Sequence, residues 1–423
     1  MLLVVRQRAF ALLWSAGLIS RVGDWMLFAA LPFYVYARTG SALATGLMFI
    51  AETVPPIALG SVAGVFVDRW DHRQTIIAAD LARGALLLLL LAAQARGALP
   101  LIYVVALLQS AIGQFFWPAR GALVPRVVGE EHLQAANALG SLADNLPRLV
   151  GPAVGGLLLG LVGLPGVVVA DSASFVLSAG LVALIPAPPF PGGTGGQRDA
   201  LTSPHVTARA RWTAFWREWM EGVRIMRGDR TLTALFVAQG VAMAGQGIFE
   251  VLRVPFIRDV LHGDAGVFGL LVSIEGVGGL LGGTLVGAVG RVIAPGRLLA
   301  LGVATVAILM LIGVNIPVLP LAVALFAIAG LPMVTWLVSS QTVAQGAAPD
   351  RYRGRVLGAY GTMTALATVG GMAVASLGGT HAAVRPLLNV AAGLHVAAAV
   401  LAFTLLRTIS SVASADDAVA EAV

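Results

Sequence analysis

Cysteine is absent from this chain of 423 residues. Disulfides, thiol nucleophiles and thiolate metal sites are excluded with it. Lysine is absent too, and all 27 basic side chains are Arg. Charge of either sign is scarce, at 11% of residues, against roughly 25% in an ordinary soluble chain. The six His are scattered, and only His395 falls well inside an apolar run. No H-E-x-x-H, no G-x-S-x-G and no phosphate-binding loop occurs. Enzymatic chemistry, a resident cofactor and direct drive by ATP are therefore not expected.

What is present is hydrophobic: 58% of residues, with a mean hydropathy of +0.88. Such a chain cannot dress a soluble surface as a monomer. Apolar runs of about 20 residues recur, each long enough to cross roughly 30 Å of hydrocarbon. Twelve spans are expected, at about 9–37, 41–67, 75–96, 99–123, 136–163, 166–186, 231–260, 265–290, 297–316, 318–344, 356–379 and 384–408. Arg6 and Arg8 before the first run imitate a signal peptide. That run is too long for one and lacks a small-residue cleavage site, so it reads as the first span. Arg38, Arg96, Arg258 and Arg385 lie in loops of one side; Arg21, Arg83, Arg148 and Arg253 lie within spans; the remaining nineteen lie on the other side. The positive-inside rule then puts both termini in the cytoplasm, in the inner membrane, with an even span count. The formal charge of +6 reflects those short inner loops and does not mark a nucleic-acid partner.

One long hydrophilic segment, 187–230, separates spans six and seven. It opens with PAPPFPGGTGG, which cannot form a regular element. It continues with Trp212, Phe215, Trp216, Trp219, Val223 and Met226 at helical spacing, with Arg217, Arg224 and Arg227 off that stripe. The pattern predicts an amphipathic helix over about 212–228, lying on the inner membrane surface. The plainer alternative is a helix packed on the cytoplasmic loops. The expected division is a six-helix bundle at 1–186, this linker at 187–230, a second bundle at 231–410 and a short cytoplasmic tail at 411–423.

The chain aligns with itself at an offset of 223, pairing Gly17 with Gly240, Pro32 with Pro255, Phe33 with Phe256, Gly40 with Gly263, Gly46 with Gly269 and Glu52 with Glu275. Two parallel six-span repeats describe a common transporter architecture. The expected fold is all-α: twelve transmembrane helices in two pseudo-symmetric six-helix bundles.

The loop after span two reads GSVAGVFVDRWDHRQ, residues 60–74. Gly60 and Gly64, four apart, leave one helix face bare for close approach. Gly64, Asp68, Arg69 and Arg73 fall in the places of a G-x-x-x-D-R-x-G-R-R/K signature, with Asp71 where Gly is usual and His72 where Arg is common. In this stretch the sequence resembles the major facilitator superfamily. The resemblance implies a cytoplasmic gate, in which Asp68 clasps the helix N-terminus that opens span eleven. In the second repeat Arg291 stands opposite Asp68, so the two halves are expected to contribute unequally. Span five contains LPRLVGPAVGGLLLG, with Gly151, Pro152, Gly155 and Gly156. This looks like the GP-x-x-GG element of drug:proton antiporters and implies export. With SRVGDW, TGSALATGL, WPARGALVP and AANAL, the pattern resembles the macrolide-efflux and enterobactin-exporter branch. One departure is Gln109, four before Gly113, where many drug antiporters have Arg.

Arg21 and Asp24 stand mid-span, where a charge costs roughly 2.5–3.5 kcal/mol on insertion scales. Three residues apart, they share a face and can pair. The resemblance implies that span one lines a central cavity. Burial favours the neutral carboxyl and a neighbouring Arg favours the carboxylate, so a cavity that changes Asp24's surroundings would couple a proton to transport. A permanent ion pair is the bland alternative. Glu52, Glu250 and Glu275 compete as proton carriers; Asp80 with Arg83, and Asp144 with Arg148, read as structural pairs; Asp171 has no assigned role. Trp25, Phe28, Gln109, Gln114, Phe116, Trp117, Met333 and Trp336 are cavity candidates, of which a fraction is expected to line it.

The expected function is proton-coupled efflux of amphipathic small molecules by alternating access. The partners are the lipid bilayer, the substrate and protons, and the chain is expected to act as a monomer. Alternatives are a dedicated exporter of one metabolite such as a siderophore, a lysolipid flippase, and a non-transporting membrane sensor.

Overall fold

A computed structural model describes residues 7–186, 208–290 and 292–406. The Pro/Gly-rich start of the linker, Arg291 and the tail lie outside the described residues. The described chain is helical: α1 (Arg8–Thr39), α2 (Ala42–Val67), α3 (His72–Arg96), α4 (Leu99–Val128), α5 (Leu133–Leu161), α6 (Leu164–Ala183), α7 (Ala208–Gly228), α8 (Arg230–Pro255), α9 (Ala265–Val289), α10 (Pro295–Asn315), α11 (Leu319–Ala347), α12 (Arg353–Gly378) and α13 (Val384–Leu405). Eleven of these hold an apolar window long enough to cross a bilayer. α5 has the length, at 29 residues, but carries Asn137, Asp144, Asn145 and Arg148 between its start and its middle. Leu88, Leu89, Val104, Leu107 and Leu108 are exposed on the outside of α3 and α4, as lipid-facing side chains are.

Local signals set the boundaries. Gly40 and Gly97 close α1 and α3 in the left-handed conformation, with φ of 61° and 65°. The Ser41 hydroxyl caps α2 by accepting from the Ala44 amide at 3.3 Å. Asp71, the departure from the loop signature, caps α3 by accepting from the Gln74 amide at 2.8 Å. Pro255 removes an amide donor from α8, and the next turn, Phe256–Val260, loosens into a π-helix closed by Leu261 N–H to the Phe256 carbonyl.

Packing gathers the chain into two compact units. Unit 1 holds Met1–Phe190, Val251–Val277 and Ala375–Val384; unit 2 holds Pro191–Glu250, Gly278–Val374 and Arg385–Val423. In unit 1, Leu31, Val35, Leu87, Leu90, Val168 and Phe175 form a core among α1, α3 and α6. In unit 2, Trp336 is fully buried and donates to Gln239 Oε1 at 2.9 Å, with His395 edge-on at 5.6 Å.

The described part of the linker helix α7 packs on protein. Trp219, Val223 and Met226 lie against Leu232, Phe236, Val356 and Ala359 of α8 and α12. Gly222 sits so close to α12 that a Cβ there would meet the Arg355 backbone. Glu221 pairs with Arg355 at 2.7 Å. Trp219, Val223 and Met226 of the apolar stripe are thus covered by helices, while the side chains of Trp212, Phe215 and Trp216 lie outside the described residues.

Candidate functional site

The central charges of unit 1 do not pair as their spacing suggests. Asp24 is bound by Arg83 of α3, and Arg21 turns to α5, 3.5 Å from Asp144. The reason lies in helix geometry. Positions three apart differ by about 60° around the axis, enough at a crowded crossing to face different neighbours. Arg21 also lies over the Trp117 ring of α4, 3.4 Å from its centroid. Arg120, counted above with the inner loops, is buried in α4 and reaches the same Asp144 carboxylate at 3.2 Å. Arg148 does not meet Asp144 but lies 5.1 Å over Trp25.

The second set of charges lies between α1, α3 and α6. Asp80 and Asp171 are both fully buried. Asp80 accepts from the Ser178 hydroxyl at 2.6 Å and Asp171 from Ser174 at 3.2 Å. Gly23 makes room for Asp171, since a Cβ there would strike its carboxylate. Arg83 spreads over the Phe175 ring at 4.3 Å while holding Asp24. Ser172 ties α6 to α3 by donating to the Gly84 carbonyl at 2.8 Å. Gln109 of α4 is buried, and neither polar atom of its side chain has a hydrogen-bond partner among the described residues. It lies one turn before Gly113, whose Cβ direction points at the Arg83 guanidinium 3.7 Å away.

The GP-x-x-GG element of α5 faces two helices at once. A Cβ on Gly151 would meet Trp25 and the Val22 carbonyl, and one on Gly155 would enter the Met26 backbone of α1. Gly156 stands against Ala265 and Gly269 of α9, and the Pro152 carbonyl lies beside Gly269. The Ser273 hydroxyl of α9 accepts from the Ala153 amide at 2.9 Å. In unit 2 the crossing of α8 and α12 repeats the α1–α5 design: Gly247 meets the Thr368 carbonyl and Gly371 the Ala244 carbonyl.

At the Gly40 end of α1, the Tyr36 hydroxyl donates to Asp259, and Arg258 donates to the Tyr36 carbonyl at 3.0 Å. Tyr36 and Asp259 are 223 residues apart, which is the offset of the repeat. Tyr36 and Asp259 are thus mates in the repeat alignment that touch each other. Arg258 there meets a carbonyl in the last turn of α1, where the helix dipole favours a cation.

The remaining candidates are scattered. Glu52 and Glu275 are half-buried on α2 and α9, and the Glu52 carbonyl accepts from Ser110 at 2.7 Å. Glu250 is half-buried, and Arg253 is buried between the rings of Phe49 and Phe268. Trp336 and Phe116 are buried in helix cores. Trp117 is covered by Arg21, Gln114 bonds within its own helix to the Ser110 carbonyl at 3.1 Å, and Met333 is half-buried. Trp25 and Phe28 are half-buried and meet edge-on at 5.1 Å. Asp68 and Arg69 are exposed just past α2, and Arg73 donates to the Val182 carbonyl at 3.2 Å and to that of Ala183, closing the end of α6. Gly60 and Gly64 stand on the last turns of α2, where a Cβ on Gly64 would meet no described atom within 4 Å.

A family profile described as a transmembrane secretion effector matches residues 2–422. The chain belongs to this family, within the major facilitator superfamily. It is 28% identical to the MFS-type transporter YfiS of Bacillus subtilis, over 87% of this chain and 86% of that one. It is 28% identical to the multidrug efflux pump Tap of Mycobacterium bovis, over 95% and 92%, and 25% identical to macrolide efflux protein A of Streptococcus pyogenes, over 67% of each. Among solved structures, a bacterial homologue of the iron transporter ferroportin in its inward-facing state aligns with a TM-score of 0.73, at 15% identity, over 94% of this chain and 98% of that one. The nucleoside transporter NupG also aligns at 0.73, with 11% identity, over 95% and 100%. These likenesses carry the fold. The family member is a multi-pass membrane transporter working by alternating access, not an enzyme.

Proposed function

We propose that this transporter exports amphipathic small molecules across the cytoplasmic membrane in exchange for protons. It does so as a monomer of two six-helix bundles, 1–186 and 231–410, with both termini in the cytoplasm. Within the superfamily, the motifs and the efflux names of its relatives favour the macrolide-efflux and enterobactin-exporter branch. The observation that carries the proposal is the Asp24–Arg83 pair. Its carboxylate side chain is 33% exposed while the guanidinium is 8% exposed. Asp24 can therefore exchange a proton with water or meet a cationic substrate from the exposed side of the pair. Protonation of Asp24 removes the anion and releases Arg83; deprotonation restores the pair. Glu52, Glu250 and Glu275 are alternative carriers of the coupling proton. Trp25, Phe28 and Phe49 form an edge-to-face aromatic run beside Asp24, suited to flat apolar groups. The efflux proteins among the relatives, named for macrolides and for multiple drugs, support this substrate class.

The test is transport in proteoliposomes of a fluorescent cationic dye, with and without an imposed proton gradient. The expected result is gradient-driven efflux by the wild type and dye binding without response to the gradient in Asp24→Asn. A wild type that moves no dye under any gradient removes the proposal.

A further inference from the structure

A second titratable site lies deeper than Asp24. Asp171 is fully buried, and its Oδ2 has no hydrogen-bond partner among the described residues. Its Oδ1 accepts from Ser174 at 3.2 Å and rests against Gly23, the residue before Asp24. The charged groups around it can be named helix by helix. α1 supplies Asp24; α3 supplies Asp80 and Arg83. α6 carries no other charge. α5 turns Asp144 to Arg21 and Arg120, and Arg148 to Trp25. One guanidinium thus serves three carboxyl groups, and it is bound to Asp24. Two unbalanced carboxylates in a membrane interior are costly to desolvate, so their negative charge has to be cancelled. Among the described residues no three acidic or histidine side chains are placed to hold a metal ion. The occupant that fits an unpartnered carboxyl oxygen is a proton.

We propose that Asp171 is a buried proton site exchanging with Asp24 through Arg83. This inference deepens the proton-exchange reading above and rests on it for its transport role. The step balances as a transfer. The proton leaves the Asp171 carboxyl and joins the Asp24 carboxylate, directly or through water. Arg83 then leaves the neutral Asp24 for the new Asp171 carboxylate. The charge of the cluster is unchanged, and the proton now sits on the carboxyl that water can reach. Arg83 lies between α1 and α6, pairing with Asp24 of the first and covering Phe175 of the second, one turn beyond Asp171. Gln109, buried with both polar atoms unsatisfied among the described residues, lies one turn before Gly113, the α4 residue that faces the same guanidinium.

The deciding measurement is the carboxylic-acid carbonyl band in the infrared spectrum of the full-length protein in lipid, for wild type, Asp171→Asn and Asp80→Asn. Loss of a band in D171N that D80N retains is the expected result. A spectrum in which D171N keeps every protonated-carboxyl band of the wild type overturns the proposal. Should D171N fail to fold, Gly23→Ala keeps all the carboxyl groups and pushes a methyl onto the Asp171 carboxylate. It should shift the same band, and an unshifted band again overturns the assignment. In proteoliposomes D171N should lose uphill dye export while retaining downhill movement; retained uphill export overturns the coupling role. If the wild type ignores a proton gradient, the export reading fails, whereas the infrared band still decides whether Asp171 holds a proton.

Discussion

Gly156→Ala gives the sharpest test of how α5 and α9 hold this arrangement. A methyl group on Gly156 would fall on the Ala265 carbonyl oxygen, 3.1 Å from both the Ala265 carbonyl carbon and the Gly269 Cα. All three are backbone atoms, so no rotamer change relieves the contact, and the helices must separate. Overpacking of this kind costs about 1–3 kcal/mol. The cost applies only while α5 and α9 touch, so in an alternating-access transporter it acts on an equilibrium between states. The same range corresponds to a roughly 5- to 150-fold shift in populations. The chain has no native cysteine, so spin labels on Ala37→Cys and His262→Cys, both exposed positions at the Tyr36–Asp259 end, report without background. The G156A variant should enlarge the long-distance population. Gly160→Ala on the same helix, where a Cβ meets no described atom within 4 Å, should leave the distribution unchanged. Gly155→Ala, pressed against Met26 of α1, should lower thermal stability more than it shifts the distance. An unchanged distribution in G156A would refute the idea that this crossing sets the state.

Three further outcomes are expected. Tyr36→Phe removes the hydrogen bond to Asp259, an interaction with a charged group worth about 1.5–3 kcal/mol; the same spin pair should open, and an unaltered distance would show the latch to be idle. Asp24→Asn removes the observed partner of the Arg83 guanidinium and should lower the melting temperature, since breaking a buried pair costs up to about 3–5 kcal/mol, less here because Asp24 is one-third exposed and Asp171 lies within reach of the freed charge. Arg83→Gln added to it should recover part of that loss, and strictly additive melting shifts would contradict the pairing. Gln239→Leu leaves the buried Trp336 N–H without its acceptor, at about 1–3 kcal/mol; melting should drop, with the α1 spin distances unmoved.

The residues show which parts of this structure were legible. Span number, length and order followed from apolar runs, because a bilayer imposes its thickness on each helix separately. α5 could be read despite Asp144 and Arg148, because its Gly and Pro pattern was intact. The repeat offset of 223 returned as the separation of Tyr36 and Asp259, although nothing in the alignment said that these mates would touch. The central charges were visible as anomalies, and their partners were not. Arg21–Asp24, Asp80–Arg83 and Asp144–Arg148 all obey helical spacing, yet Arg21 and Asp24 find partners on other helices and Arg148 lies over Trp25. Asp171 had no neighbour in sequence to suggest a role.

The sequence by itself determined that this chain spans a membrane with α-helices, in two related halves, with charges buried where they cost most. Each of those facts is one-dimensional: hydropathy, periodicity and repetition act along the chain. Only the tertiary structure decided which charge meets which, that Gly23 seats Asp171, that Gly155 and Gly156 serve different helices, and that α7 packs on α12. Those choices depend on the rotation of each helix about its axis. That rotation is set by close packing among neighbours distant in sequence.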